Sequence, residues 1–364
     1  MTEIGQHIDQ LDTPILWTDL ERLERNIRMI AAHFSAAGIN WRPHTKGMKI
    51  PAIAYKALAA GAIGVTCAKL GEAEVMAAAG IRDILIANQI VGPHKITRLV
   101  HLQHQADVKA AVDNAAVVAQ IGAAAAERGA EVGLLVEVNT GMNRAGTEPG
   151  QATVELAGLV HDTPGVRLAG LMTWEGHTLS APTPAEKRAA IEKSMDLYRS
   201  TVEACRAADL PIEIVSGGGS GTATITPGLG VITEIQAGGA VFGDVSYRNW
   251  WDALEPALYV RTIVTSRPTP ERIIIDAGYK TLPASNRTPE CASLPAVKSH
   301  RPSAEHGVIT LEAPNTNVQV GDLLDFLVGY GDATVFCTTI CTAFATAWSR
   351  RCGRFWGGEV AIEK

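Results

Sequence analysis

Gly133–Val138 (GLLVEV), Gln151–His161 (QATVELAGLVH) and Arg167–Trp174 (RLAGLMTW) make one unit: a short apolar run, an Ala- and Leu-bearing amphipathic stretch, and a second short apolar run. The same strand-then-helix rhythm extends in both directions. Strand-like pieces fall at Pro14–Thr18, Asn40–Pro43, Gly64–Ala68, Asp83–Ala87, Asp107–Val112, Ile212–Ser216 and Val231–Gln236. Helical patterns fall at Leu20–Ala37, Pro51–Ala60, Leu70–Ala79, Asn114–Arg128 and Ala185–Ala208. Strand followed by helix, repeated about eight times, predicts a parallel sheet covered by helices. The count suits a (β/α)₈ TIM barrel better than an open doubly wound sheet. After about Trp250 the rhythm changes. Tyr259–Ser266, Arg272–Asp276, His306–Leu311 and Asp322–Leu327 read as strands between Pro- and Asn-rich turns. The expected α/β architecture is therefore a barrel over 14–250 and a second, smaller, mainly antiparallel β domain over 251–364, joined by residues 1–13.

Size and composition narrow the function classes. A chain of 364 residues with 46% hydrophobic and 19% charged residues can bury a large core. A net charge of −6 argues against nucleic acid as a partner. No apolar run reaches the roughly 18 residues of a membrane span. Met1 to Gln10 carries acidic and polar residues and no apolar core, so no export signal is expected and a cytoplasmic enzyme is the default. The six cysteines form no C-x-x-C pair, and no histidine follows Cys337 and Cys341, so structural thiols are expected rather than a zinc knuckle.

Two further stretches carry chemistry. Trp41-Arg42-Pro43-His44-Thr45-Lys46 ends an early strand with a lysine, and Ser216-Gly217-Gly218-Gly219-Ser220-Gly221-Thr222 follows a late strand. A lysine amine condenses with an aldehyde, and a lowered pKa makes it a better nucleophile, for which Arg42 and His44 are the expected cationic neighbours. Consecutive glycines let backbone N–H groups close on a phosphate. An aldehyde held at one end and a phosphate at the other describe pyridoxal 5′-phosphate (PLP). A late barrel position is also where phosphate sites fall.

With Asn139-Thr140-Gly141-Met142-Asn143-Arg144-Ala145-Gly146 and Glu234-Ile235-Gln236-Ala237-Gly238-Gly239 between and after them, these motifs resemble the D-threonine aldolase and D-serine dehydratase-like family. The resemblance runs from about Thr13 to Asp332 and implies PLP enzymes of the alanine racemase fold, commonly homodimers with shared active sites. It implies Lys46 as the Schiff-base lysine with His44 beside it, and Arg144 near the polar edge of the ring. Ser220, Gly221, Gly238 and Gly239 would sit at the phosphate, with Gly218 and Gly219 in the same turn. Trp174-Glu175-Gly176-His177 ends a barrel strand at the catalytic face, where Trp174 would line the cofactor and His177 would act as acid or base. The family's usual histidine aligns nearer Ser180.

The implied activity is cleavage of a D-β-hydroxy-α-amino acid to glycine and an aldehyde. Alternatives are a D-serine or 3-hydroxyaspartate dehydratase, an amino-acid racemase, and a non-catalytic PLP carrier; a carrier would lack the second domain. Trp174, Trp250 and Trp251 are candidates for an apolar substrate pocket. A divalent ion (manganese, magnesium or zinc) is implied near the C-terminus. Asp332 is its oxygen ligand and His306 a neighbouring candidate, while Tyr330 stands where the family has a histidine. The tail from Cys337 onward lacks clean β alternation and holds half the cysteines. A reading-frame change after about Phe336 would explain this, since a shifted frame can spell a family-like hairpin.

Overall fold

The computed structural model describes residues 7–294, 296–336, 340–345 and 348–354. Side chains are described as far as residue 335. Two compact units divide them. One comprises Ala31–Lys46 and Ala54–Gly238; the other takes the described residues up to Ile30, Gly47–Ile53 and those from Gly239 onward.

β1 (Ile15–Asp19) leads into α1 (Leu20–Ala36), and the first unit then builds its parallel sheet. Its strands are β2 (Asn40–Trp41), β3 (Val65–Cys67), β4 (Asp83–Gln89), β5 (Asp107–Val112), β6 (Val132–Val138), β7 (Val166–Thr173), β8 (Ile214–Gly217) and β9 (Glu234–Ile235). The helices between them are α2 (Pro51–Ala59), α3 (Leu70–Ala78), α4 (Pro93–Leu102), α5 (Ala115–Glu127), α6 (Gln151–Asp162) and α7 (Pro184–Ala207). The spatial order is β2-β9-β8-β7-β6-β5-β4-β3, all parallel. The ring closes through the chain beyond β2. His44 bridges Thr66, Thr45 N–H donates to the Thr66 carbonyl at 2.7 Å, and Thr66 N–H donates to that of Pro43 at 2.9 Å. This is the eight-stranded (β/α) barrel expected from the sequence rhythm.

Local signals explain its elements. β6 is buried at every position, as a strand covered on both faces must be. Asn114 caps α5 by accepting from Ala116 N–H at 2.9 Å; Thr183 caps α7 by accepting from Glu186 N–H at 3.2 Å, with Pro184 in the first turn. Leu85, Ala111, Leu135, Ala169 and Met172 pack together in one core cluster.

The second unit is one extended sheet in the order β13-β14-β11-β10-β1-β16-β17, with β15 also on β10 and β12 on β15. The ranges are β10 (Leu258–Thr269), β11 (Arg272–Ile275), β12 (Glu290–Cys291), β13 (Val297–Pro302), β14 (Gly307–Leu311), β15 (Leu323–Leu327), β16 (Ile340–Ala345) and β17 (Trp348–Arg354). Two short helices, α8 (Val245–Arg248) and α9 (Gly331–Phe336), accompany it. Every pairing is antiparallel except β1 with β16. β1 continues the alternating sequence pattern yet lies in this sheet. Its register with β10 sets Trp17 opposite Tyr259, and the rings stack at 4.8 Å. The tail backbone pairs as a hairpin, β16 with β17, despite its irregular pattern. The tail side chains, and so the reading-frame question, lie outside the described residues. Among the described residues no helix is long and apolar enough to cross a membrane.

Candidate active site

At the ends of neighbouring strands in the first unit, the two chemical motifs come close. Gly217 of β8 pairs with Ile235 of β9, and Arg42 N–H and His44 N–H donate to the carbonyls of Ile235 and Gln236 at 2.9 and 3.2 Å. Only β9 therefore separates the lysine-bearing strand from the glycine turn. Two strand spacings are about 10 Å. A lysine side chain and a small aromatic aldehyde phosphate can bridge that gap.

Lys46 is exposed, and its backbone N–H donates to the His44 ring Nδ1 at 3.3 Å. Below it Thr45 Oγ1 donates to the Thr66 carbonyl at 3.0 Å and touches the Cys67 thiol, whose pKa burial pushes up to about 12. Burial away from water, together with the charges of Lys46 and Arg144, holds His44 well below the usual imidazole range. His44 is thus neutral and is not the cationic neighbour expected from the sequence. Arg42 is not one either. Its side chain runs to the first residues of β9 and β4, where Nε lies 3.0 Å from Glu234 and Nη1 2.6 Å from Asp83. The cation that shares the His44 environment with Lys46 is Arg144. Its guanidinium lies 3.5 Å from Glu137 at the end of β6, and Gln89 donates to the other Glu137 oxygen at 2.5 Å. The turn carrying Arg144 is fixed by Asn139, whose Oδ1 accepts from the N–H groups of Gly141 and Asn143 at 3.2 and 3.0 Å.

The glycine turn is held from beneath. Gly218 has φ +73°, a left-handed conformation that suits glycine. Its N–H donates to Glu175 at 3.2 Å, and Gly219 N–H donates to the Thr222 hydroxyl at 3.2 Å. The Trp174 ring covers Gly219 so closely that a Cβ there would stand 2.7 Å from it, and Leu179 lies against Gly221. Ser216 is fixed by Gln236, donating to its hydroxyl at 2.9 Å, and by Tyr198, donating to its carbonyl at 3.1 Å. Burial keeps Tyr198 a neutral phenol, far above its ordinary pKa. At Gly238 a Cβ would collide with the His44 carbonyl oxygen, so the β9 end can lie against the lysine segment only as glycine. Bare backbone at Gly218, Gly219 and Gly238, with buried Ser220 beside them, fits a phosphate-bearing group. Gly239 opens the second unit, packed against Tyr247.

His177 sits in a short 3₁₀ turn after β7. Its Nε2 lies 3.5 Å from the Ser194 hydroxyl and close to Gly141, while its Nδ1 is buried without a hydrogen-bond partner. Ser180 hydrogen-bonds to the His177 carbonyl at 2.8 Å.

The expected metal ligands lie in the second unit. Both Asp332 oxygens accept phenols, from Tyr247 and Tyr330, each at 3.1 Å. His306 is exposed in the turn between β13 and β14. No group of three His, Cys, Asp or Glu that could hold a metal ion exists among the described residues. Among the described residues Asp332 and His306 belong to no such group. Nearby, burial pushes Asp244 up to about 8 although it accepts Tyr247 N–H at 2.8 Å and Gly331 N–H at 2.6 Å. Trp251 is buried in this unit, and Trp250 packs edge-on to Tyr247.

Sequence reading missed Glu175, Glu137 and Tyr198. Each is a buried polar residue whose importance comes from partners far along the chain.

A closed parallel barrel with a lysine and a bare glycine turn one strand apart, in a chain that also builds an antiparallel β unit, defines a class of fold that the comparisons identify. The family described as "Alanine racemase, N-terminal domain" matches residues 18–246, and "Putative serine dehydratase domain" matches 257–342. The chain belongs to this alanine racemase N-terminal domain family. It is 35% identical over 334 residues to D-threonine aldolase of an Arthrobacter species, covering 91% of this chain and 88% of that protein. It is 32% identical over 341 residues to 3-hydroxy-D-aspartate aldolase of Paracoccus denitrificans, covering 91% and 88%. The crystal structure of D-threonine aldolase from Filomicrobium marinum superposes with a TM-score of 0.93 at 32% identity, covering 97% of this chain and 98% of that one.

Proposed function

We propose that this chain is a PLP-dependent carbon–carbon lyase that cleaves D-β-hydroxy-α-amino acids of the D-threonine type to glycine and an aldehyde. The observation that carries the reading is the single-strand separation between Lys46 and the Gly218–Gly221 turn in the closed barrel. Similarity over 91% of the chain to aldolases of D-amino acids supports it.

In this reading Lys46 would hold PLP through its aldehyde, and the bound cofactor would supply an electron sink for the pair left when a Cα–Cβ bond breaks. The chain's own groups do the rest. Gly218, Gly219, Ser220, Gly221 and Gly238 would hold the phosphate, and Trp174 walls the turn. Arg144, steadied by Glu137, offers positive charge to the ring's polar edge, and neutral His44 packs beside Lys46 without adding charge. His177 would take the proton from the substrate's β-hydroxyl. We further propose a cytoplasmic homodimer with shared active sites.

Incubation with D-threonine tests the reading. Acetaldehyde and glycine in equal amounts are expected. Formation of 2-oxobutanoate would replace the lyase assignment with a dehydratase, and L-threonine or D-allothreonine would replace it with a racemase or epimerase.

A further inference from the structure

Glu175 is a fully buried carboxylate, 0% exposed, directly beneath the turn that would face an anion. One oxygen accepts from Gly218 N–H at 3.2 Å and the other from the Thr226 hydroxyl at 2.7 Å. Its own carbonyl is tied down twice, by Thr178 N–H at 3.0 Å and the Thr178 hydroxyl at 2.8 Å. The carboxylate is therefore fixed at its root and at both oxygens. Its neighbour Trp174 packs its ring on Gly219. Between them, two consecutive residues set the path of the turn. Thr222 continues the lock: its N–H donates to the Gly219 carbonyl at 3.1 Å, and its own carbonyl accepts from Thr226 N–H at 3.0 Å.

A hydrogen bond to a carboxylate is stronger than one between neutral groups. A charge so close to a phosphate site would otherwise oppose anion binding, so its value must lie in what it orients. By taking the Gly218 N–H inward, Glu175 holds φ of that residue positive and fixes the direction of the peptides that follow, at Gly219, Ser220 and Gly221.

We propose that Glu175 is the positioning residue that shapes the Gly218–Thr222 turn into a phosphate receptor. It makes the enzyme select the phosphorylated aldehyde over the same aldehyde without phosphate. This rests on the PLP reading above. Glu175 touches neither cofactor nor substrate and acts through the turn.

The test compares equilibrium binding of PLP and of unphosphorylated pyridoxal to the apo form of the full chain, by dialysis and absorbance. In Glu175→Ala, PLP affinity should fall about tenfold to a hundredfold, the range for losing a hydrogen bond to a charged group. Pyridoxal affinity should stay close to wild type, because it makes no use of the turn. Glu175→Gln keeps an acceptor for Gly218 N–H and should recover most of the preference. Equal losses for both aldehydes would mean a general structural role and overturn the proposal, as would an unchanged preference or a glutamine variant no better than alanine. If Glu175→Ala does not fold, Thr226→Val removes one partner and keeps the shape; its preference should move in the same direction, and an unchanged preference would overturn the proposal. A wild-type chain that binds no PLP would instead sink the reading beneath it.

Discussion

Lys46→Ala is expected to abolish covalent capture of PLP and to reduce D-threonine cleavage to background. The neighbouring amines are placed otherwise: Lys49 is three residues further along, and Lys187 Nζ donates to the Gly221 carbonyl at 2.6 Å. The fold should survive. The Lys46 side chain is exposed, and the hydrogen bonds that close the barrel at this point come from the backbone of Pro43 and Thr45 and from the Thr45 hydroxyl. Surface substitutions of this kind usually shift stability by no more than about 0.5 kcal/mol. Lys49→Ala removes the same charge nearby and should keep both the cofactor's visible absorbance and activity. A Lys46→Ala protein that keeps that absorbance would refute the assignment.

The second large effect concerns stability. Arg42 is 2% exposed and bridges Glu234, itself 2% exposed, to Asp83. Lys109 extends the network, 2.9 Å from Asp83 and 2.7 Å from Asp107, and Arg167 meets Asp107 at 3.3 Å. Charges joined in this way replace the water they lost, but removing one leaves its partner buried and unpaired. Arg42→Met is therefore expected to cost about 3–5 kcal/mol, read as a lower urea midpoint. Arg42→Lys should recover only part of this, since an ammonium cannot form the paired guanidinium geometry. A loss below about 1 kcal/mol, the scale of an exposed ion pair, would show that the network contributes little.

What could be read from the sequence follows from range of interaction. Strand and helix periodicity is local, so the repeating unit around Gly133–Trp174 revealed the parallel barrel, and helices such as Leu20–Ala36 end within a residue of expectation. Lys46 and the glycines are legible because their chemistry is local to short motifs. β1, expected among the barrel strands, pairs with β10 instead, because its apolar pattern suits either sheet while Trp17 stacks on Tyr259 and donates to Asp325. β13 was missed because Lys298, Arg301 and Pro302 mask a strand that buries His300. The role of Arg42 escapes the sequence because its partners are 41 and 192 residues away. Glu175 lay inside a quoted motif, yet only Gly218 and Thr226, 43 and 51 residues on, reveal what it holds.

The most direct measurement is reduction of the PLP-loaded protein with borohydride, followed by proteolysis and mass mapping of the modified peptide. The pyridoxyl mass should sit on Lys46 alone. Label on Lys49, on Lys187 or on no lysine at all would contradict the central claim.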